Sequence, residues 1–289
     1  FLPRRRNGQH NKLTMRTFYY TAQLALLTIS GAVASSTNWK INVGKGHNSM
    51  PFARSDLSAT LVDDWIYLMG GCDDPDGNVA TNTGNGEFYC PSVTNRNIAY
   101  SPLKDKFVEL KEMPKKRFRH TAVAVNGRVW VIGGLYETYE IAKEVDVYDA
   151  ATDSWQTVGY LDEATTDLAS FQNEGKIYVA GGYKNNGIRD EATNQLYSFA
   201  SSNVLMLAPS AEKKIDVFQE KPMKEARGDI HAASWGPFCY IAGGFSTNDG
   251  SCEALNSVEV FDFDNGASGL VRPMNYGRGD KGLVAMNGW

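Results

Sequence analysis

The sequence predicts an all-β chain of repeated four-stranded antiparallel sheets fanned about an axis, a β-propeller. Three observations carry this. Four Gly-Gly pairs, at 70–71, 133–134, 181–182 and 243–244, each close a short apolar run. The pairs recur at spacings of 63, 48 and 62 residues, and a period near 50 marks a solenoid or propeller and not one irregular core. Each run also has a turn and a second apolar run ahead of it, and a polar loop behind it.

The runs beginning at Trp65, Val129, Ile177 and Cys239 are β-branched or aromatic and about six residues long, the pattern of buried strands. Glycine at their ends marks a positive φ or a backbone too close for a Cβ. The turns ahead of them are Asp63-Asp64, Asn126-Gly127, Glu174-Gly175 and Gly236-Pro237. Asn-Gly between apolar runs is the strongest short hairpin signal. The hairpin partners are Ser58–Val62, His120–Val125, Leu168–Gln172 and His231–Trp235. Third strands follow at Asn97–Tyr100, Val145–Tyr148 and Ser257–Phe261. A fourth strand carries an aromatic seven residues further on, Phe107 after Tyr100 and Trp155 after Tyr148. A lone meander of this kind has two apolar faces, and radial packing between neighbours buries both.

Read in order, these residues resemble the kelch family. The second unit carries the pattern best: Met113 and Pro114, then Arg117 and His120, then Gly133-Gly134, then Val145 to Asp149 with Tyr148, then Trp155. The resemblance covers about residues 37–289. It is looser in the third unit, where Tyr197 or Leu207 takes the ring position, and in the fourth, which lacks the Trp. It implies a kelch-type β-propeller with four whole blades and two partial ones. Residues 37–43, around Trp39, read as an outermost strand without its three partners. Residues 278–289 read as an inner strand and the start of its hairpin. Closed propellers of the family have more blades, so further sequence beyond Trp289 is expected. The alternative, an open array, exposes long apolar edges.

Composition fits such a chain: 42% apolar, 21% charged, with 28 glycines. A net charge of −4 provides no basic field for nucleic acid. Residues 1–14 form a polar leader outside the mature protein. Residues 15–34, with Arg16, the apolar stretch 24–34 and small residues before Ser35, have the layout of a signal peptide. An uncleaved anchor is the alternative, although the run is short for a membrane span. Residues 35–289 then form the propeller, secreted or held in the secretory lumen, with no stable membrane insertion. Cysteine usage agrees. Of three possible pairings, Cys72–Cys90 and Cys239–Cys252 each stay within one blade. Four free buried thiols are the alternative. No Cys-x-x-Cys occurs and the histidines are scattered, so no metal or other cofactor is expected.

The loops that follow the Gly-Gly pairs are long, at 72–96, 135–144, 183–195 and 245–256, and the opposite face has short turns. Long loops on a rigid scaffold are where binding resides. The same face receives a repeated polar signature before each inner strand: Arg54 and Asp56, Arg117 and Arg119, Thr165 and Asp167, Arg227 and Asp229, Arg278 and Asp280. Propeller geometry arranges these as a ring, with Tyr136, Tyr183 and Phe245 beside it. The resemblance implies arginines that grip ligand carboxylates, as guanidinium forks do. The alternative is that Arg and Asp pair with each other structurally. Two signatures spell Arg-Gly-Asp, at 227–229 and 278–280, but the tripeptide falls out of the repeat and sits beside an inner strand.

The expected function is therefore an interaction module that binds a protein, peptide or glycan on the loop face. An enzyme of carbohydrate-active or oxidase type on the same scaffold is one alternative, with no catalytic residue identified. A ubiquitin-ligase substrate adaptor is the other, should the signal peptide be absent.

Overall fold

The computed structural model describes residues 49–73, 90, 92–189, 196–209, 215–247 and 253–285. The expected leader, signal segment, strand at 37–43 and Cys252 lie outside the described residues. Four antiparallel four-stranded meanders follow one another along the chain. Blade 1 is Ser58–Val62, Trp65–Met69, Asn97–Ser101 and Lys106–Leu110. Blade 2 is Thr121–Val125, Arg128–Ile132, Glu144–Asp149 and Ser154–Tyr160. Blade 3 is Ala169–Asn173, Lys176–Ala180, Val204–Pro209 and Ile215–Gln219. Blade 4 is His231–Trp235, Phe238–Ala242, Val258–Asp262 and Ala267–Val271. Asn126 and Gly127 take φ values of 52° and 72° at their hairpin, the mirror-image turn that matches strand twist.

Register makes the blades superimposable in sequence. Val129 faces Tyr148, Ile177 faces Leu207 and Cys239 faces Phe261. Leu207, and not Tyr197, thus holds the ring position of blade 3. Tyr197 belongs to an inserted hairpin, Tyr183–Arg189 with Leu196–Ala200.

The core lies between sheets. Tyr67, Met69, Val129, Val131 and Tyr148 join blades 1 and 2. Trp130, Ile132, Val147, Ile177, Val179 and Leu207 belong to the cluster joining blades 2 and 3. Blades 3 and 4 share an aromatic cluster of Phe171, Tyr178, Phe261 and Phe263, with ring centroids 5.2 to 6.0 Å apart. Each inner strand packs against the inner strand of the next blade.

The Gly-Gly pairs clasp successive blades. The second glycine donates its N–H to a carbonyl in the segment that enters the next blade. Gly71 bonds Arg117 O at 2.8 Å, Gly134 bonds Thr165 O at 3.0 Å, Gly182 bonds Arg227 O at 2.8 Å and Gly244 bonds Arg278 O at 2.7 Å. The first glycine passes so close to that same carbonyl that a Cβ would collide with it. This close approach is the reason for the doublet.

Two expectations need correction. The inner strand expected after Asp280 is absent among the described residues 281–285, which have no paired neighbour. A strand is held by its ladder partner, and no described residue pairs with this segment. The Cys239–Cys252 bridge does not form. Cys239 is a free thiol, wholly buried beside Phe261, and burial pushes its pKa up to about 12. Cys239 sits mid-strand in the core between blades, opposite Phe261 in the sheet. Cys72, by contrast, follows its Gly-Gly at the end of the sheet, and it is bridged to Cys90 with Cα atoms 5.5 Å apart.

Candidate functional site

Each blade is entered through a three-residue segment that pairs with the chain leaving its Gly-Gly. Arg54 faces Asp73 and Ser55 faces Cys72, while Phe118 bridges Leu135, Thr166 bridges Tyr183 and Gly228 bridges Phe245. The long loops and the entry segments therefore share one face. The third residue of each segment, Asp56, Arg119, Asp167, Asp229 or Asp280, has a positive φ between 43° and 55°. Asp tolerates this region better than most side chains, and the equivalence of all five marks one repeated turn. Backbone bonds stitch the turns together: Arg119 N–H reaches Asp56 O and Asp167 N–H reaches Arg119 O, both at 3.0 Å.

These five side chains converge, with Arg119 as the one cation among them. Its Nε donates to Asp56 Oδ1 at 3.2 Å, and its Nη1 lies 3.6 Å from Asp167 Oδ1. Burial opposes its charge, but Asp167, Asp56, Asp229 and Asp280 together hold its pKa above the ordinary value. Burial lifts the Asp167 carboxyl well above the usual range; Arg119 pulls it back and Asp229 pushes it further up. Asp280 rises to about 6, first through burial and then through the neighbouring Asp229 carboxyl. Tyr183 donates its hydroxyl to Asp229 Oδ2 at 3.0 Å. The site is thus a crowded carboxyl cluster around one guanidinium.

The first residues of the segments behave differently, and here the sequence expectation is corrected. Arg117 and Arg227 are 0% exposed and point into their own blades, out of reach of a ligand at the mouth. Arg117 donates to Gly133 O and Glu144 O, each at 3.3 Å, and pairs with the Asp146 carboxylate. Arg227 donates to Gly243 O at 2.8 Å, Ser257 O at 3.3 Å, Glu259 at 3.1 Å and Glu225 at 2.8 Å. A buried guanidinium requires acceptors, and in both residues the terminal nitrogens have them while Nε has none. In blade 1 Ile98 stands where Asp146 and Glu259 stand. There the buried Arg54 nitrogens have no hydrogen-bond partner, and burial lowers the Arg54 pKa. Arg278 is exposed. Asp56, Arg119, Asp167, Asp229 and Asp280 are therefore the members of the expected ring that meet.

The flanking aromatics serve packing as well. A Cβ on Gly228 would collide with the Tyr183 ring, and one on Gly279 with the Phe245 ring. The glycine of each Arg-Gly-Asp is thus a seat for an aromatic ring, and Arg227 is sealed inside the blade. Tyr136 donates its hydroxyl to Glu144 and receives Lys115 Nζ at 3.4 Å; burial and Glu144 raise its pKa to about 12. His120 Nε2 lies 2.7 Å from Ser58 Oγ in the core, and burial beside Arg117 lowers its pKa to about 3, so it is neutral. Among the described residues, no group of three or more His, Cys, Asp or Glu side chains is placed to hold a metal ion. No described helix is long and apolar enough to cross a membrane.

Comparison with known proteins agrees with this geometry. The family described as Kelch motif matches residues 116–161, the span of blade 2. Kelch-like protein 40 of Xenopus laevis is 24% identical over 246 residues, covering 83% of this chain and 36% of that protein. Kelch-like protein terF of Aspergillus terreus is 27% identical over 192 residues, covering 62% of this chain and 39% of that protein. Kelch repeat and BTB domain-containing protein 1 of horsepox virus is 22% identical over 152 residues, covering 53% of this chain and 24% of that protein. The chain spans less than two fifths of the length of each of these relatives. The solved structure of YjhT has the same fold, with a TM-score of 0.62 and 16% identity over 81% of this chain and 75% of that one. With motif residues in register across four sheets, the Kelch motif over blade 2 and the kelch-like relatives agree on a kelch-type repeat fold for this chain.

Proposed function

We propose that the chain binds a protein or peptide partner at the mouth formed by Asp56, Arg119, Asp167, Asp229 and Asp280, and that the group received there is basic. One observation carries this: four carboxyls gather around one guanidinium that two of them already engage, and with Lys281 beside Asp229 and Asp280 the carboxyls still outnumber the cations. A site of that balance attracts ammonium or guanidinium groups and repels carboxylates, which reverses the acidic ligand expected from the sequence. The test is fluorescence anisotropy with labelled tetralysine and tetraglutamate peptides at low salt. Tetralysine is expected to bind, to weaken about tenfold or more in Asp229→Asn/Asp280→Asn, and to weaken with added salt. Preference for tetraglutamate, or unchanged tetralysine binding in the neutralised variant, overturns the reading.

We further propose that the module works in the secretory pathway. The Cys72–Cys90 bridge supports this, since disulfides persist in oxidising compartments. A cytosolic adaptor is the second reading, favoured by relatives whose names join the kelch repeat to a BTB domain. Mass spectrometry of the mature protein separates the two. Cleavage after Ala34 with a closed Cys72–Cys90 bridge fits export, and an intact residue 15–34 segment with free thiols fits the adaptor.

A further inference from the structure

Blade 3 lacks a part that blades 2 and 4 contain. In blade 2 the entry arginine, Arg117, fills the top of the sheet against Asp146, Gly133 O and Glu144 O. Thr157 completes the set by donating to Asp146 Oδ1. In blade 4 Arg227 does the same against Glu259, Gly243 O, Ser257 O and the Glu225 carboxylate. Register assigns the blade 3 counterparts. Thr165 stands in the arginine's place. Leu205 stands in the acid's place, and Gln219 faces it as Thr157 faces Asp146. The Gly181–Asn203 backbone pair corresponds to Gly133–Glu144 and to Gly243–Ser257.

Threonine and leucine do not fill the space that a guanidinium and a carboxylate fill. A cavity of about 170 Å³ opens at this point, lined by Thr165, Leu205, Gln219, Gly181 and Asn203 together with Glu163 and Lys184. That is roughly ten times the ~10–15 Å³ that one water needs. Its walls keep the counterparts of the acceptors that Arg117 and Arg227 use: Gly181 and Asn203, which supply the paired carbonyls, and Glu163, which is two residues before Thr165 as Glu225 is before Arg227. Lys184 is the cation that faces the cavity, and its buried ammonium pairs with Glu163. Glu163 itself is 62% exposed, so the cavity communicates with solvent at that rim.

We propose that this cavity binds a guanidinium group carried by a ligand, such as the side chain of an arginine. The ligand would complete from outside the arrangement that Arg117 and Arg227 complete from within. A planar fork suits paired carbonyls and a carboxylate, whereas a compact ammonium satisfies fewer of them. Lys184 competes for Glu163, so the bound cation shares or displaces its contact. This site is separate from the mouth and does not depend on the function proposed for it.

The experiment is calorimetric titration of the folded chain with methylguanidinium and with methylammonium at equal ionic strength. Methylguanidinium is expected to bind about tenfold more tightly than methylammonium, and Lys184→Met is expected to strengthen it. Thr165→Arg/Leu205→Glu, which rebuilds the internal pair, is expected to abolish binding and raise the melting temperature. Should that variant fail to fold, Leu205→Phe fills the space with apolar atoms and is expected to abolish binding as well. The preference for methylguanidinium is expected to persist in Asp229→Asn/Asp280→Asn, where cation binding at the mouth is weakened. Equal affinity for the two cations, binding that survives both filling variants, or a preference lost in Asp229→Asn/Asp280→Asn overturns the proposal.

Discussion

Replacing Arg117 by methionine is expected to cost about 3–5 kcal/mol of folding stability in urea unfolding, because it strands the Asp146 carboxylate. The side chains of Arg117 and Asp146 are 0% and 2% exposed, so no water reaches the orphaned charge. The cost belongs to the broken pair and not to the lost volume, since methionine retains most of the apolar stem. A second variant isolates that cause. Arg117→Met/Asp146→Leu removes both charges, and exchanging a buried ion pair for apolar side chains of similar volume is commonly neutral or stabilising. Blade 3 changes both members in the same way, with Thr165 at the arginine's position and Leu205 at the acid's. The double variant is therefore expected to recover most of the loss. Equal destabilisation of single and double variants would contradict the assignment of Arg117 as a buried structural ion.

Gly181→Ala is expected to destabilise by about 3 kcal/mol or more, while Gly127→Ala costs about 1–2 kcal/mol. Both glycines have positive φ, 63° and 72°, so both substitutions carry the same left-handed penalty. They differ in surroundings. A Cβ on Gly181 would lie 2.5 Å from Arg227 O and 2.7 Å from Ile230 Cδ1, both at the entry to blade 4. A Cβ on Gly127 meets nothing within 4 Å. The excess at Gly181 thus measures how tightly one blade is clasped to the next. Similar midpoint shifts for the two variants in denaturant unfolding would mean that the doublets serve turn geometry alone.

Much of this architecture is legible in the residues. The Gly-Gly doublets, the Asn-Gly turn and the aromatic seven residues after Tyr148 place strands to within a residue or so, because burial and turn sterics act locally. The polar signature before each inner strand identifies the right segments. It does not tell which residue of each faces outward, since that depends on a positive φ two residues further on. A signal is present nonetheless. Arg117 and Arg227 occur in the two blades whose third strands carry Asp146 and Glu259, and Thr165 occurs with Leu205. In blades 2 to 4 the two positions change together, as partners within a repeat do, and that places both arginines inside; blade 1 departs from it, with Arg54 beside Ile98. Strand parity likewise sets Cys239 with Ile241 on a core face, which pairing cysteines by proximity in sequence overlooks.

Convergence of Asp56, Arg119, Asp167, Asp229 and Asp280 on one mouth underlies the functional reading, and the titration of Asp280 reports on it. Carbon-detected NMR of its carboxyl is expected to show a pKa of about 6 in the wild-type chain, falling toward the ordinary aspartate value in Asp229→Asn. An Asp280 that titrates as an ordinary aspartate and ignores residue 229 would mean that the entry segments do not meet.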